Sequence, residues 1–162
     1  MKVEADKLQD MLDVNAYSCG AMLKLFEQKL LQRGKPGGII VTSNIGAQFF
    51  VPANFTYCAS KAFVKYIAQA VNWENKKAGT QIDVMALQPH FVNGLMIQND
   101  MANGFAFGQV PAEDCVSAAL RDLGYEATTY GASLHERIGF IMTFVMNHFM
   151  PGYDRSPLNS EL

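Results

Sequence analysis

The chain has 162 residues, of which 49% are apolar, and this size and composition fit one globular domain with a sizeable core. Thirteen basic and fifteen acidic residues leave a formal net charge of −2, so no basic excess indicates nucleic acid as a partner. Three dispersed cysteines without a CxxC pair indicate reduced thiols inside a cell, and the histidines lack the spacing of metal ligands.

The N-terminal part predicts one long amphipathic helix over residues 7–32, because apolar residues recur there at steps of three and four. A glycine- and proline-rich segment at 34–38 ends this helix. The β-branched run Ile39–Ser43 is typical of a strand that is buried on both faces. Residues Tyr57–Lys77 predict a second long helix, which Gly79 terminates.

The second half of the chain continues the alternation of helices and strands. Ile82–Leu87 predicts a strand that stops before Pro89, and residues 91–110 predict an irregular segment of the kind that covers a site. Pro111 opens a helix through Leu123, and a last short strand is predicted at residues 128–130. We therefore expect an α/β fold: an incomplete Rossmann-like domain, half of a doubly wound parallel sheet, with two long helices and a C-terminal apolar helix.

The most apolar segment is a predicted helix over residues 134–150, which is shorter than a bilayer span. Packing in the core or against a partner is favoured over contact with a membrane interface, because a basic face is missing. We divide the chain into an α/β domain at 1–133 and an apolar helix with a tail at 134–162. His135 and His148 are expected at the surface or in an interface.

Tyr57 and Lys61 carry the most specific chemical signal in the sequence. Four residues apart on a helix, they lie on one face, and a cation one turn away favours a phenolate. This predicts a phenol whose pKa is lowered from about 10, so that it exchanges protons near neutral pH. On its own the pair is better explained as an amphipathic tyrosine and a lysine that extends its amine to solvent.

Further landmarks accompany the pair in order along the chain: Asn15 within the first helix, the run Gly37–Ile40 at the start of the strand, and Pro89–Val92 after the next strand. Together with Tyr57 and Lys61 they resemble the short-chain dehydrogenase/reductase family over residues 10–131, the C-terminal, catalytic half of its domain. Two local patterns resemble the very-long-chain 3-oxoacyl-CoA reductase and hydroxysteroid dehydrogenase branch. These are Pro89–Val92 itself and the run Val110–Glu113, followed by Thr129–Gly131 and His135.

The resemblance implies a role for each landmark. Tyr57 would protonate a substrate carbonyl as hydride arrives from NADPH, and Lys61 would also bind the nicotinamide ribose. Asn15 would hold a water molecule in the proton relay. Tyr57, Lys61, Pro89 and Val92 would contact the cofactor.

Two positions depart from the family pattern. Counting back thirteen residues from Tyr57, the usual family separation, reaches Asn44 where the family has a serine. An inserted loop residue would instead place Ser43 there. After the proline turn, Asn93 and Gly94 stand where the family often has a threonine that contacts the nicotinamide.

The family's glycine-rich nucleotide loop does not precede Tyr57 in this sequence. We therefore expect no cofactor bound by this chain alone, and NADP if a partner completes the fold. The first hypothesis is a degenerate dehydrogenase, a structural or interaction subunit of a larger assembly. The alternative is the catalytic half of a split NADPH-dependent reductase of 3-oxoacyl-CoA or ketosteroid substrates, and a truncated product without a settled function is a third possibility.

The expected partners are other protein chains that cover the open edge of strand 39–43. Contact of residues 134–150 with a membrane interface is the less favoured alternative for that helix. Nucleic acid is not an expected partner. An intracellular, reducing compartment is expected, and association with a mitochondrial or endoplasmic-reticulum membrane would suit the apolar helix.

Overall fold

A computed structural model describes residues 4–49, 54–94 and 108–149 of the chain. The helices are α1 Ala5–Leu12, α2 Ser18–Arg33, α3 Phe55–Lys77, α4 Ala112–Asp122 and α5 Ser133–Phe149. The strands are β1 Gly37–Thr42, β2 Ile82–Leu87 and β3 Thr128–Thr129. A π turn at Asp13–Tyr17 joins α1 to α2, and a 3₁₀ turn at Ile45–Ala47 follows β1. Most of the predicted irregular segment at 91–110 lies outside the described residues.

The three strands form a parallel sheet in the order β1-β2-β3, which confirms the predicted α/β class. β1 pairs with β2 along its whole length, whereas β3 pairs only with the last two residues of β2. Among the described residues, no strand pairs with the other edge of β1. The site residues predicted after β1 and β2 therefore meet at one end of the sheet, because the carboxyl ends of parallel strands lie together.

Alternating side chains divide the core into two layers, since neighbouring residues of a strand face opposite sides of the sheet. One layer packs against α2 and α3 and is built from Leu23, Ile39, Val41, Ala68, Ile82, Val84 and Ala86. The other packs against α4 and is built from Ile40, Met85, Leu87, Val110, Cys115 and Ala119. This pattern explains the apolar run of β1, for which the sequence predicted burial on both faces. Its apolar side chains do face both layers, and Ile39, Ile40 and Val41 are partly buried there.

Two helices differ from their predicted form. The helix expected over 7–32 contains the π turn, which the spacing of apolar residues did not indicate. In α3, the apolar residues Val64 and Ala68 are buried, whereas Phe63 and Trp73 are exposed, so the apolar residues of this helix do not all face the core.

Helix α5 buries one face and exposes the other. Ile138 and Met146 pack on Ile45 and Phe49 at the carboxyl end of the sheet, whereas Phe140 on the opposite face is largely exposed. No helix within the described parts of the chain has the length and apolarity needed to cross a membrane. The expected boundary between residues 133 and 134 stays a prediction.

A buried side chain completes the hydrogen bonding of β2. The Val84 amide faces the side on which β3 is too short to pair, and it donates to Oδ1 of Asn72 on α3 at 2.9 Å. Asn72 is itself buried, so this bond replaces a missing strand contact.

We predict that Asn72→Ala lowers the free energy of unfolding by about 1 to 3 kcal/mol, because it leaves a buried amide without an acceptor. Denaturant unfolding measures the change. Asn54→Ala is the control, since Asn54 is exposed and its side chain makes no capping bond, and it should change stability by less than about 0.5 kcal/mol. Equal effects of the two substitutions would contradict the role given to Asn72.

Candidate functional site

Tyr57 and Lys61 lie in the first two turns of α3, beside the carboxyl end of β1. Both side chains are partly buried, and the Lys61 Nζ atom lies 5.7 Å from the centre of the Tyr57 ring. The same amine donates a hydrogen bond to the backbone oxygen of Thr42 at 3.1 Å. The lysine is therefore held between the tyrosine ring and the last residue of β1.

Ser43 connects the same two elements in the opposite direction. Its hydroxyl donates to the backbone oxygen of Lys61 at 2.7 Å, and the residue is only 2% exposed. The Ser43 side chain thus points into α3, and its proton is already committed to the helix backbone.

Asn44 caps the 3₁₀ turn and also binds the segment after β2. Its Oδ1 atom accepts from the Gly46 amide at 2.8 Å, and its Nδ2 atom donates to the Pro89 oxygen at 3.1 Å. The amide of Ile45 donates to the same Pro89 oxygen at 3.1 Å. Which of Ser43 and Asn44 occupies the family's serine position stays a prediction, but both side chains are engaged by backbone groups.

Asn15 lies in the π turn, which packs against α3. The Ser18 amide closes the turn by donating a hydrogen bond to the Asp13 oxygen, and the Ser18 hydroxyl donates to the backbone oxygen of Val14. Single π turns inside helices occur often at functional sites. The π turn that carries Asn15 thus lies against α3, the helix that carries Tyr57 and Lys61, while the water-holding role of Asn15 stays a prediction.

Cys19 is a neighbour of this region that the sequence did not single out. Its thiol lies close enough to Lys61 for the two groups to influence each other's pKa. Its spacing of four residues from Asn15 puts it on the same helix face and could have identified it.

The electrostatics of the pair differ from the expectation. Burial raises the pKa of Tyr57, the neighbouring Cys58 raises it further, and burial also lowers the pKa of Lys61. The predicted lowering of the Tyr57 pKa by Lys61 is therefore wrong for this chain as the structure describes it. Desolvation outweighs the attraction of an amine that is 5.7 Å from the ring and bonded elsewhere.

The turn after β2 contains the two other predicted cofactor contacts, Pro89 and Val92. Val92 forms an isolated parallel bridge with Val110, and His135 on α5 approaches the oxygens of Phe91 and Gly108 through Nε2. His135 is fully buried, so its predicted place at the surface or in an interface is wrong. Its partners are 44 and 27 residues away along the chain, so no local pattern could have revealed the contact.

The described residues fit only part of a nicotinamide dinucleotide. The contacts of Tyr57, Lys61, Pro89 and Val92 with a nicotinamide ribose stay a prediction. Among the described positive-φ glycines, only Gly131 directly links a strand to a helix, and a Cβ there would meet the Cys115 sulfur at 2.7 Å. That turn is closed by packing, so the described residues offer no glycine cradle for the pyrophosphate. In the same part of the chain, no cluster of three or more potential ligands could hold a metal ion.

A family model described as short chain dehydrogenase matches residues 1–103, more than half of the sequence. The chain belongs to the short-chain dehydrogenase family. The resemblance inferred from Asn15, Tyr57, Lys61 and the Pro89–Val92 turn is thereby confirmed at the level of the family.

Curated relatives include a very-long-chain 3-oxoacyl-CoA reductase of Anas platyrhynchos, 29% identical over 88% of this chain and 44% of the relative. Another is hydroxysteroid dehydrogenase-like protein 1 of Gallus gallus, 29% identical over 80% of this chain and 39% of the relative. The chain thus spans less than half the length of these relatives.

Solved structures agree on the fold. A 7beta-hydroxysteroid dehydrogenase superposes with a TM-score of 0.73 at 22% identity, over 90% of this chain and 55% of that chain. A short chain dehydrogenase from Burkholderia cenocepacia in complex with NADP superposes with a TM-score of 0.69 at 20% identity, over 86% of this chain and 57% of that chain. The chain therefore corresponds to about half of the fold that these proteins share.

We predict that Tyr57 loses its proton only above the ordinary tyrosine pKa of about 10, because its surroundings disfavour the charged form. The titration is measured as the difference in phenolate absorbance between the unchanged chain and Tyr57→Phe. The unfolded chain ionises first as pH rises, so this group's contribution to stability is complete below about pH 10 and is lost at higher pH.

The same difference titration in a Lys61→Met background tests the influence of the lysine. The midpoint should stay nearly unchanged, since burial rather than Lys61 governs it. A midpoint below 10 that rises on removal of Lys61 would restore the original expectation.

Proposed function

We propose that this chain acts as a structural, interaction-forming member of the short-chain dehydrogenase family and does not reduce carbonyl substrates by itself. The supporting observation is the state of the two candidates for the serine position. The Ser43 hydroxyl donates into α3, and both polar atoms of the Asn44 side chain are bonded to backbone groups. A substrate carbonyl would have to displace the Ser43 bond to be activated by that hydroxyl, and Asn44 could offer it only the second N–H of its amide.

The exposed apolar surface of α3 supports association. Tyr66 is 72% exposed and Trp73 is 62% exposed, and their spacing of seven residues puts them on one face of α3. The neighbouring helix α2 adds Met22, Leu25 and Phe26, which are also exposed. Large apolar side chains grouped in this way are typical of protein interaction surfaces. In the family that the chain belongs to, the corresponding helices commonly form the interface between subunits, so the proposed partner is a second copy of this chain.

The open edge of β1 is a second place for a partner. Because no described strand pairs with that edge, its outward-facing backbone groups can bond a strand from another polypeptide. The unpaired edge of β1 is the reason for proposing that other protein chains bind there. The expected compartment and membrane contact stay predictions.

We predict that the double substitution Tyr66→Glu and Trp73→Glu converts an assembly of the chain into monomers. Two charges placed in a buried apolar interface would have no partners, so association should weaken at least about tenfold. Sedimentation analysis of the purified chain over a range of concentrations measures the change.

Leu120→Glu is the control, because Leu120 is 60% exposed on α4 in the opposite layer. It should leave the assembly intact, and a wild-type chain that sediments as a monomer would contradict the proposal. So would a control that dissociates the assembly as fully as the double substitution.

A second candidate function is the catalytic half of a split reductase for 3-oxoacyl-CoA or ketosteroid substrates. The observation that favours it is the retention of Tyr57 and Lys61 on α3 and of Asn15 in the π turn that packs against α3. In a completed fold, NADPH would supply the hydride, Tyr57 the proton, and Lys61 a cation near both. Completion of the site by a second polypeptide would also change the burial that now raises the pKa of Tyr57.

For this candidate we predict that Tyr57→Phe reduces turnover of the natively purified assembly by about a hundredfold or more, because the proton donor is removed. Reduction of a 3-oxoacyl-CoA is followed through consumption of NADPH. Tyr66→Phe is the control, since it removes an exposed hydroxyl from the same helix and should preserve turnover. Equal turnover of the unchanged assembly and Tyr57→Phe would exclude tyrosine catalysis.

A further inference from the structure

We infer that His135 is a positioning residue that fixes the Pro89–Val92 turn to helix α5. The imidazole is 0% exposed, and Nε2 lies 3.0 Å from the Phe91 oxygen and 3.2 Å from the Gly108 oxygen. One side chain in the first turn of α5 thus binds both the segment that leaves β2 and the segment that enters α4.

The two acceptors determine which ring nitrogen carries the proton. Carbonyl oxygens only accept hydrogen bonds, so two of them around Nε2 require an N–H at that atom. In the neutral ring Nδ1 is then an acceptor, and this buried atom has no partner among the described residues. A buried polar atom without a hydrogen-bond partner lowers the free energy of unfolding, and an apolar side chain at this position would avoid that loss. The donor at Nε2, rather than the bulk of the ring, is therefore what this place in the fold requires.

The two segments are also bonded to each other next to His135. The Val110 amide donates to the Phe91 oxygen at 3.1 Å, and the Asn93 amide donates to the Val110 oxygen at 2.9 Å. The Phe91 oxygen therefore receives donors from both Val110 and His135. Loss of the imidazole donor would weaken the junction at a point where several bonds meet.

Glycine at position 108 permits this close approach. Its φ of +81° is in the left-handed region, and a Cβ there would lie 2.5 Å from the Ile138 Cδ1 atom and 3.2 Å from the His90 ring. Ile138 is on the same helix as His135, so α5 holds the Gly108 backbone by packing and by a hydrogen bond.

This arrangement makes α5 part of the framework of the candidate site. Asn44 binds the Pro89 oxygen from the β1 side, and His135 binds the Phe91 oxygen from the α5 side. The turn is therefore fixed from two directions. Its consequence for nicotinamide binding rests on the second candidate function, whereas the positioning of the turn does not.

The first measurement uses the unchanged chain, with nitrogen NMR of the imidazole. We expect the Nε2–H tautomer with a slowly exchanging ring proton. The Nδ1–H tautomer would overturn the inference, and this result does not depend on any variant that must fold.

The second measurement compares His135→Gln, which keeps a donor, with His135→Leu, which keeps only bulk. Hydrogen exchange at the Asn93 and Val110 amides should accelerate about tenfold in His135→Leu and much less in His135→Gln. His148→Gln and His148→Leu are the matched controls, because His148 is an exposed histidine on the same helix, and both should leave these amides unchanged. Equal acceleration in the two His135 variants would show that packing alone is at work and would overturn the inference.

A parallel measurement of NADPH affinity in the natively purified assembly separates the two proposals. His135→Leu should weaken NADPH binding, and His135→Gln should restore most of it. Failure of the unchanged assembly to bind NADPH would contradict the second candidate function, while the exchange pattern at Asn93 and Val110 would still decide the role of His135.

Discussion

The candidate site depends on a reciprocal connection between the end of β1 and the second turn of α3. Lys61 donates from its side chain to the backbone of Thr42, and Ser43 donates from its side chain to the backbone of Lys61. Each element thus supplies one donor and one backbone acceptor, so neither can shift along the other without breaking both bonds, of which the Ser43 bond is partly buried. Asn44 extends the connection to the Pro89 oxygen after β2.

The bonds that fix this region also engage groups that chemistry there would need. A carbonyl reductase requires a donor aimed at the substrate oxygen and a phenol that can release its proton near neutral pH. Here the Ser43 hydroxyl and one N–H each of Asn44 and Lys61 donate to backbone oxygens, and burial raises the pKa of Tyr57. The same residues therefore favour a stable scaffold over a reactive site, unless a second polypeptide rearranges them.

The sequence indicated the fold and the approximate site but not the orientation of the side chains. The order of elements, the strand Ile82–Leu87 and the grouping of Tyr57 with Lys61 follow from local patterns, because periodicity and spacing act within a few turns. The π turn, the Thr42–Lys61 bond and the burial of His135 depend on partners far away along the chain. The error on the Tyr57 pKa has the same origin, since burial is a property of the assembled fold.

The two helical layers on either side of the sheet have different roles. Helices α2 and α3 cover one face of the sheet and expose the apolar residues that we assign to association. Helices α4 and α5 hold the other face and the end of the sheet, where His135 fixes the turn after β2. Tyr57 and the exposed Tyr66 lie on the same helix, α3. Burial of the Tyr66 face by a partner would therefore restrict the motion of the helix that bears the candidate site. Association and the state of the site are thus physically linked through one helix, whichever of the two functions the assembly performs.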